Sequence, residues 1–233
     1  MEFTQAVLKE QYSLSETIKN SDEKTVIRYR HKSLGRSIIK INYKGNCDAY
    51  KALLNIKHAN LPIIYNVQTD GEACEILEEY IEGVTVSDVL QTGTYNEKGV
   101  CYIASCLCDA LTALHNLNIV HRDIKPENII ISNEGRVVLI DFDASRYYKP
   151  YKGNDTVILG TAGYAAPEQF GLSQTDYRSD IYAMGVLMNV MLTGDYPTRK
   201  LYKGKLSKVI SKCIQVAPEN RYSSAEELKR ALI

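Results

Sequence analysis

The 233-residue sequence lacks a surplus of charge of either sign, since 28 lysine and arginine residues balance 28 aspartate and glutamate residues. Without a basic surplus there is no overall field that would favour nucleic acid or an anionic membrane surface. The sequence also lacks an apolar run long enough to span a membrane, and its charged first residues do not resemble a secretory signal. We therefore expect a cytoplasmic protein with no membrane segment in this chain and no nucleic-acid partner.

A zinc-binding pattern is also missing. Three of the six cysteines lie in the stretch CYIASCLC (Cys101, Cys106 and Cys108), and their spacing matches no common zinc site. On a helix these side chains would lie on or near a buried face, where free thiols are common. We predict that they are reduced and structural, as in cytosolic proteins.

The first third of the chain predicts a small sheet with one helix. Short segments rich in β-branched and aromatic residues predict strands at residues 12–19, 24–31, 35–43, 63–69 and 73–81. Apolar residues at helical spacing predict a helix over residues 47–58, which Pro62 discourages from continuing.

The pattern changes beyond Gly83 and becomes mainly helical. We predict a helix at residues 85–93, with Thr85 or Ser87 near its start, and a long helix at 96–118 capped by Asn96. Two short strands are expected within residues 128–143, followed by a loop-rich stretch and further helices. The sequence thus predicts an α+β fold with a β-rich N-terminal lobe (1–82) and a helical C-terminal lobe (83–233), and clefts between lobes favour ligands.

Five motifs occur in a definite order along the second lobe. They are HRDIKPEN (121–128), DFD (141–143), GTAGYAAPE (160–168), SDIYAMG (179–185) and PENRY (218–222). In this order the chain resembles a bacterial, eukaryotic-type (Hanks-type) serine/threonine protein kinase domain, from about residue 12 to its end. A single three-residue motif is weak, but several in order at sensible separations are specific.

The resemblance implies a role for each polar residue of the first two motifs. Asp123 would orient the attacking hydroxyl and take up its proton, and Lys125 would reach the γ-phosphate of ATP. In the family, a lysine at this position accompanies Ser/Thr acceptors. Asn128 and Asp141 would supply oxygen ligands to Mg²⁺, which prefers such ligands.

The later motifs imply supporting roles. Thr161 would hydrogen-bond the catalytic aspartate and lysine, Glu168 would pair with Arg221, and Asp180 would hold the backbone of the catalytic loop. Thr156 is either a candidate autophosphorylation site or an ordinary loop hydroxyl.

In the N-terminal lobe the resemblance implies that Lys40 grips the α- and β-phosphates of ATP; the alternative is an exposed strand lysine. Adenine would hydrogen-bond the backbone of Glu79 and Ile81. The remaining residues that the resemblance places around the nucleotide are Ile18, Val26, Ile38 and Ile130.

This lobe departs from the family pattern at the glycine-rich loop. Lys19, Ser21 and Lys24 stand where glycines belong, which hinders close approach of the backbone to phosphates. Lys19 and Lys24 could supply positive charge instead, although a solvated hairpin tip is the favoured interpretation. In the other lobe, Asp143 replaces the glycine that usually follows Asp-Phe, so we expect a less mobile segment there.

The helix glutamate that normally pairs with the strand lysine is also missing, since Ala49 occupies the expected position. Glu78 lies just before residues 79–83, where the two predicted lobes join, and a buried carboxylate there needs a partner. We therefore hypothesise that Glu78 pairs with Lys40; the alternative partner is Asp48.

The C-terminal lobe is expected to be short, because only about two dozen residues separate TGDYP from PENRY. The favoured function is an ATP- and Mg²⁺-dependent kinase that phosphorylates Ser/Thr hydroxyls of proteins and itself. The main alternative is a pseudokinase that serves as a nucleotide- or protein-binding scaffold. A small-molecule phosphotransferase is less compatible with GTAGYAAPE, a loop that accepts peptides in the family.

Overall fold

The computed structural model describes residues 2–54, 56–148, 161, 163–170 and 175–232. The chain forms two compact units: Met1–His58 with Pro62–Ile81, and Ala59–Leu61 with Glu82–Ile233. The first contains an antiparallel sheet and the second is mainly helical, so the predicted α+β class is confirmed.

The first unit is built on a five-stranded antiparallel sheet. Its elements are α1 (Glu2–Gln11), β1 (Tyr12–Asn20), β2 (Lys24–His31), β3 (Ser37–Lys44), α2 (Asp48–Leu53), β4 (Ile64–Asp70) and β5 (Ala73–Glu79). The strands follow the spatial order β1-β2-β3-β5-β4. All five predicted strands are confirmed, whereas α1 was not predicted.

The helix α2 is shorter than the sequence predicts. It ends at Leu53 instead of continuing to residue 58, because Leu54 adopts an extended conformation and forms an isolated parallel bridge with Ile64. Bonding to a neighbouring strand thus takes over from helical spacing five residues before the expected end.

Strand alternation gives this sheet two different faces. Successive side chains point to opposite faces, and directly paired residues of antiparallel neighbours point to the same face. The α2 face carries Lys24, Val26, Arg28, Ile39, Ile41, Tyr43, Ile76 and Glu78. The Lys40 face carries Ile38, Lys40, Asn42, Glu75 and Leu77. The ring centroids of Tyr43 and Tyr50 lie 6.1 Å apart, so α2 packs on the first of these faces.

The second unit combines short strands with helices. Its elements are β6 (Gly83–Thr85), α3 (Val86–Leu90), α4 (Glu97–Asn116), β7 (Ile119–Val120), β8 (Ile129–Ser132), β9 (Val137–Leu139), β10 (Arg146–Tyr147), α5 (Tyr177–Thr193), α6 (Ser207–Cys213) and α7 (Ala225–Ala231). The predicted cap at Asn96 is confirmed, and of the two residues predicted near the start of α3, Thr85 is the cap. The Thr85 side chain accepts from the backbone of Asp88 in a capping box, and Asn96 accepts from the Gly99 N–H at 2.8 Å.

The helix α5 is buried along most of its length and forms the centre of this unit. Gly185 lets α6 approach closely, because an added Cβ would collide with the side chain of Cys213. Between α5 and the 3₁₀ turn Pro218–Asn220 only α6 intervenes, which confirms the short C-terminal region. In the part of the chain that the structure describes, no helix is both long and apolar enough to cross a membrane.

The cysteines behave as structural thiols. All six are free, as predicted, and four of them (Cys47, Cys74, Cys108 and Cys213) are buried. Burial raises the pKa of the Cys108 thiol to about 12, so this side chain stays protonated at neutral pH.

Candidate active site

A buried aspartate on α5 holds the backbone of the loop at residues 121–128. Asp180, in the first turns of α5, accepts hydrogen bonds from the backbone N–H groups of His121 (2.9 Å) and Arg122 (2.8 Å). These bonds hold Arg122 at a φ of 71°, a conformation that non-glycine residues rarely adopt. The predicted role of Asp180 is confirmed.

The surroundings of Asp180 and His121 also shift the pKa values of these two side chains. Burial alone would raise the pKa of Asp180, but the hydrogen bond and charge interaction with His115, the charge interaction with His121 and the backbone N–H of Arg122 bring the pKa below its ordinary value. Burial lowers the pKa of His121. The neutral His121 ring accepts from the Asp123 N–H at Nδ1 and donates from Nε2 to the Ile140 carbonyl at 3.3 Å.

Two residues of the loop at 121–128 form a polar cluster with Thr161. The Lys125 ammonium lies 2.7 Å from Oδ2 of Asp123 and donates to Thr161 Oγ1 at 2.8 Å. The Thr161 hydroxyl donates in turn to Oδ1 of Asp123 at 2.7 Å. The structure therefore brings together Asp123, Lys125 and Thr161 as predicted, and both acidic oxygens of Asp123 are fixed in place.

Asn128 connects this cluster to the next strand pair. Its side-chain amide donates to the Asp123 carbonyl oxygen at 2.8 Å and to Asp123 Oδ2 at 3.0 Å. Both donors of the amide therefore point towards Asp123, and its carbonyl oxygen Oδ1 points the other way. An oxygen with this orientation fits a cation ligand.

Asp141 lies close to Asn128 because of the hairpin formed by β8 and β9. Ile129 pairs with Leu139, and the Ile140 N–H donates to the Asn128 carbonyl at 2.9 Å. Asn128 and Asp141 thus leave the same end of the hairpin. Together they offer an amide and a carboxylate oxygen, a set that suits Mg²⁺ when phosphate and water complete the shell.

The segment at residues 163–170 is bonded to the loop at residues 121–128 by a residue that the sequence analysis missed. Gln169 donates to the Arg122 carbonyl at 2.9 Å and accepts from the Ala166 N–H at 3.0 Å. His115, which holds Asp180, was missed as well. No local pattern marks either residue, since His115 and Asp180 are 65 positions apart. Thr156 lies outside the described residues.

A buried ion pair completes the support of this unit. Arg221 makes two parallel bonds to Glu168, at 2.7 and 2.9 Å, and Ser179 donates to the same carboxylate at 2.8 Å. The remaining Arg221 donors reach the carbonyl groups of residues 178, 215 and 216. The predicted pair of Glu168 and Arg221 is confirmed.

In the first unit, the expected partners of Lys40 need correction. Lys40 forms its ion pair with Glu75, at 2.7 Å, a residue that the sequence analysis did not select. Glu78 lies opposite Ile39 and therefore projects from the α2 face, away from Lys40. The other candidate, Asp48, begins α2, which packs on that same α2 face.

The other predicted nucleotide residues are also divided between the faces. Val26 pairs with Ile41 on the α2 face, whereas Ile38 shares the Lys40 face. Ile18 is exposed on β1, and Ile130 belongs to β8 of the second unit.

The strand end expected to bind adenine has its own fixed hydrogen bonds. The Glu79 N–H donates to the Ile63 carbonyl at 2.9 Å, and the Ile63 N–H donates to the Glu79 carboxylate at 3.1 Å. An adenine bound at Glu79 would therefore use the carbonyl group of this residue. Ile81, two residues on, is buried.

Comparison with known proteins agrees with this arrangement. The family model of the protein kinase domain matches residues 18–232. The chain is 27% identical to the probable serine/threonine-protein kinase CPE1738 of Clostridium perfringens, over 95% of this chain and 38% of that protein. It is 32% identical to serine/threonine-protein kinase PknB of Mycobacterium tuberculosis, over 77% of this chain and 34% of PknB. It is 38% identical to serine/threonine-protein kinase PknL of the same organism, over 63% of this chain and 37% of PknL. The chain thus spans between 34% and 38% of the length of these relatives.

Proposed function

Because this chain belongs to the protein kinase domain family, we propose that it transfers the γ-phosphate of ATP to serine or threonine hydroxyls of proteins, with Mg²⁺ as the metal ion. The observation that carries this proposal is the cluster of Asp123, Lys125, Thr161 and Asn128. A fixed carboxylate beside a fixed ammonium suits the transfer of an anionic group to an alcohol, a reaction that depends on positioning and charge stabilisation.

Asp123 acts on the acceptor. Its carboxylate orients the hydroxyl of the substrate, whose oxygen forms the new bond to the γ-phosphorus while the bond from that phosphorus to the bridging oxygen of ADP breaks. The proton of the hydroxyl passes to an Asp123 oxygen. The side chain is only 15% exposed, so the carboxylate is held in one orientation yet remains within reach of a substrate.

Lys125 and Thr161 support that step. The Lys125 ammonium lies against Asp123 and can follow the negative charge that develops on the transferred group. Thr161 bonds both residues and so fixes their separation. Because Thr161 belongs to the segment that receives peptides in the family, the cluster would be completed when this segment is in place.

Asn128 Oδ1 and the Asp141 carboxylate are the groups that would hold Mg²⁺. When bound, this ion neutralises phosphate charge during transfer. The two donations from the Asn128 amide to Asp123 keep its oxygen turned outwards.

The choice of Ser/Thr acceptors rests on Lys125 and on the names of the three relatives, each a serine/threonine kinase by its name. We also propose that the protein phosphorylates itself, with Thr156 as the candidate acceptor.

The proposal is tested with the purified chain, Mg²⁺ and γ-labelled ATP. Asp123→Asn keeps the shape of the side chain but removes its basicity, so label transfer should fall by about 10²–10⁴-fold. Asp70→Asn, at an exposed hairpin turn, serves as the matched control and should transfer at the wild-type rate. Chelation of the metal should abolish transfer.

Hydrolysis of the labelled product should yield phosphoserine or phosphothreonine. Absence of transfer by the wild-type chain, with nucleotide still raising its melting temperature, would overturn the proposal in favour of a binding scaffold. Transfer only to a small molecule would overturn it in favour of a different phosphotransferase.

A further inference from the structure

One short stretch of the second unit departs from the charge balance of the chain. The whole sequence carries 28 basic and 28 acidic residues, but residues 196–208 contain five basic residues and no acidic one. The five are Arg199, Lys200, Lys203, Lys205 and Lys208. The stretch follows α5 and ends in the first turn of α6. Its positive charge is therefore a local feature that the overall composition hides.

The basic side chains of this stretch are on the surface. All five residues are exposed, and none of them forms a side-chain ion pair within the described part of the chain. By contrast, Lys24 was expected at a solvated hairpin tip but is only 9% exposed, so that expectation is wrong. Lys205 has an acid beside it, because its N–H donates to the Glu97 carboxylate at 2.7 Å. The charges of the other four residues are available to a partner.

A buried asparagine fixes the backbone that carries these charges. Asn189 on α5 is fully buried, and its amide nitrogen donates to the carbonyl groups of Asp195 at 2.7 Å and Lys200 at 2.9 Å. Its amide oxygen accepts from the Tyr202 N–H at 2.9 Å. The Tyr202 hydroxyl donates to Glu97 on α4 at 2.8 Å. The basic side chains therefore project from a loop whose conformation is already set, which lowers the entropy lost on binding.

The same loop contacts the segment that receives peptides in the family. The rings of Tyr196 and Tyr164 lie 5.4 Å apart, edge to face. Gly163 lies so close to Tyr196 that an added Cβ would collide with its ring. The Tyr164 N–H donates to the Thr161 carbonyl at 3.0 Å, and the Thr161 hydroxyl bonds Asp123. A continuous path of contacts therefore joins the basic loop to the carboxylate that acts on the acceptor.

We propose that Arg199, Lys200 and Lys203 form a docking surface for a carboxylate-rich segment of the protein substrate. The inference rests on the proposed function in taking the bound protein as a substrate. A peptide that presents its hydroxyl to Asp123 and lies on residues 163–164 brings its flanking residues near the basic loop. Exposed ion pairs are individually weak, but several formed by one fixed loop act together.

The distribution of charge favours a peptide over other anionic macromolecules. Nucleic acids and anionic membranes are bound by basic footprints that spread over a face of the protein, and this chain has no overall basic surplus. Here the positive charge is confined to one loop beside the peptide-receiving segment. A run of glutamate or aspartate residues close to the acceptor has the complementary charge.

The test compares peptide substrates that differ only in charge. Each peptide has one threonine and a short run of glutamate, glutamine or lysine residues, placed before the threonine in one set and after it in another. At low ionic strength we expect kcat/KM to be about tenfold higher for a glutamate peptide than for its glutamine counterpart in at least one set. The difference should lie in KM, because the charges act on peptide binding, and it should shrink in about 1 M salt, where ion pairs are screened.

Two triple variants locate the effect. Arg199→Gln, Lys200→Gln and Lys203→Gln together should make the glutamate and glutamine peptides equivalent. The charge-reversed variant, with Arg199→Glu, Lys200→Glu and Lys203→Glu, should prefer the lysine peptide. The reversed preference can be produced only by a variant that folds and binds, so it does not depend on loss of activity.

The matched control removes three exposed basic residues of the first unit, through Lys9→Gln, Arg36→Gln and Lys57→Gln. It lowers the net charge by the same amount as the triple glutamine variant of the loop. It should therefore keep the preference of the wild type for the glutamate peptide.

Direct binding separates this inference from the proposed function, because it needs no phosphate transfer. Fluorescently labelled peptides are titrated with the unaltered chain, beside a single-stranded oligonucleotide and vesicles that contain anionic lipid. We expect the glutamate peptide to bind most tightly and the triple glutamine variant to lose that advantage. Such binding without phosphate transfer would defeat the proposed function and leave the docking surface standing.

Equal use of the glutamate and glutamine peptides by the wild type, or an unchanged preference in the triple glutamine variant, would overturn the docking surface. Loss of the preference in the control would also overturn it, because the effect would then come from net charge. Tighter binding of the oligonucleotide or the vesicles, lost in the triple glutamine variant, would overturn it in favour of that other partner.

Discussion

The two units differ in how closely a sequence motif determines the position of a side chain. In the second unit, Asp123 and Lys125 lie where their motif predicts, because they share a short loop whose backbone is bonded to Asp180. In the first unit, the lysine of the SIIK motif lies on the strand that the motif predicts but on the face opposite Val26. A loop residue is positioned by bonds to its neighbours, whereas a strand residue is positioned by register, which a change of one residue reverses.

This contrast extends to the charged pairs. In the second unit, Glu168 and Arg221 are almost fully buried and meet in a two-bond geometry. In the first, Lys40 and Glu75 form a single contact at 2.7 Å, and their side chains are 14% and 16% exposed. The pair of Glu168 and Arg221 stabilises the second unit, whereas the pair of Lys40 and Glu75 forms because the two residues are diagonal neighbours in the sheet.

The largest expected effect comes from breaking the buried pair. Glu168→Gln leaves the Arg221 guanidinium without a counter-charge, and removing one partner of such a pair costs about 3–5 kcal/mol of unfolding free energy. Glu75→Gln is the matched change in the first unit, and it should cost less than Glu168→Gln, because the Lys40 side chain keeps 14% of its surface exposed and makes a single contact with the carboxylate. Urea unfolding of both variants measures the difference. Equal losses would contradict the contrast between the units.

A smaller effect is expected at the threonine that bonds both Asp123 and Lys125. Thr161→Val keeps the shape of the side chain and removes the hydroxyl that bonds Asp123 and Lys125. Loss of hydrogen bonding to charged groups should lower the rate of label transfer about tenfold, with little change in stability. Thr161→Ser, which retains a hydroxyl, should transfer at nearly the wild-type rate. A valine variant as active as the serine variant would show that the bridge is unimportant.

The smallest expected effect concerns the pH dependence of stability and reports on the loop at residues 121–128. The pKa of His121 is lowered by burial, so the folded state keeps this ring neutral while the unfolded state titrates near pH 6.5. Below that pH the unfolded chain binds more protons, and the stability present above it is lost as pH falls towards the folded pKa. The negative charges of three carboxylates raise the pKa of His121 and so oppose the effect of burial; they belong to Asp180, Asp123 and Asp141.

We therefore expect the unfolding free energy to be lower by about 1 kcal/mol at pH 5.5 than at pH 7.5. In His121→Gln the amide can still donate to the Ile140 carbonyl, but the side chain no longer titrates. The difference of about 1 kcal/mol between the two pH values should therefore disappear. If the variant shows the same loss of unfolding free energy between pH 7.5 and pH 5.5 as the wild type, the loss comes from groups other than His121.

Most of the second unit's site could be predicted from the sequence. The cluster of Asp123, Lys125 and Thr161 and the pair of Glu168 with Arg221 follow a motif order that several separate segments support. His115 and Gln169 could not be found this way, because each acts through a contact distant in sequence and neither belongs to a local pattern.

In the first unit the strands could be predicted from alternation and composition, but the face of each side chain could not. Period-two alternation marks a strand without stating which neighbour each residue will pair with. The partner of Lys40 depended on that pairing, and so the sequence analysis selected Glu78 and Asp48 instead of Glu75. The predicted end of α2 was wrong for a related reason, because a bridge from Leu54 to Ile64 ends the helix early.

The most direct measurement is a single assay of label transfer from γ-labelled ATP by three proteins: the wild type, Asp70→Asn and Asp123→Asn. If the Asp123 carboxylate acts on the acceptor hydroxyl, Asp70→Asn should match the wild type and Asp123→Asn should transfer label about 10²–10⁴-fold more slowly. An Asp123→Asn variant as fast as the wild type would contradict the catalytic account itself.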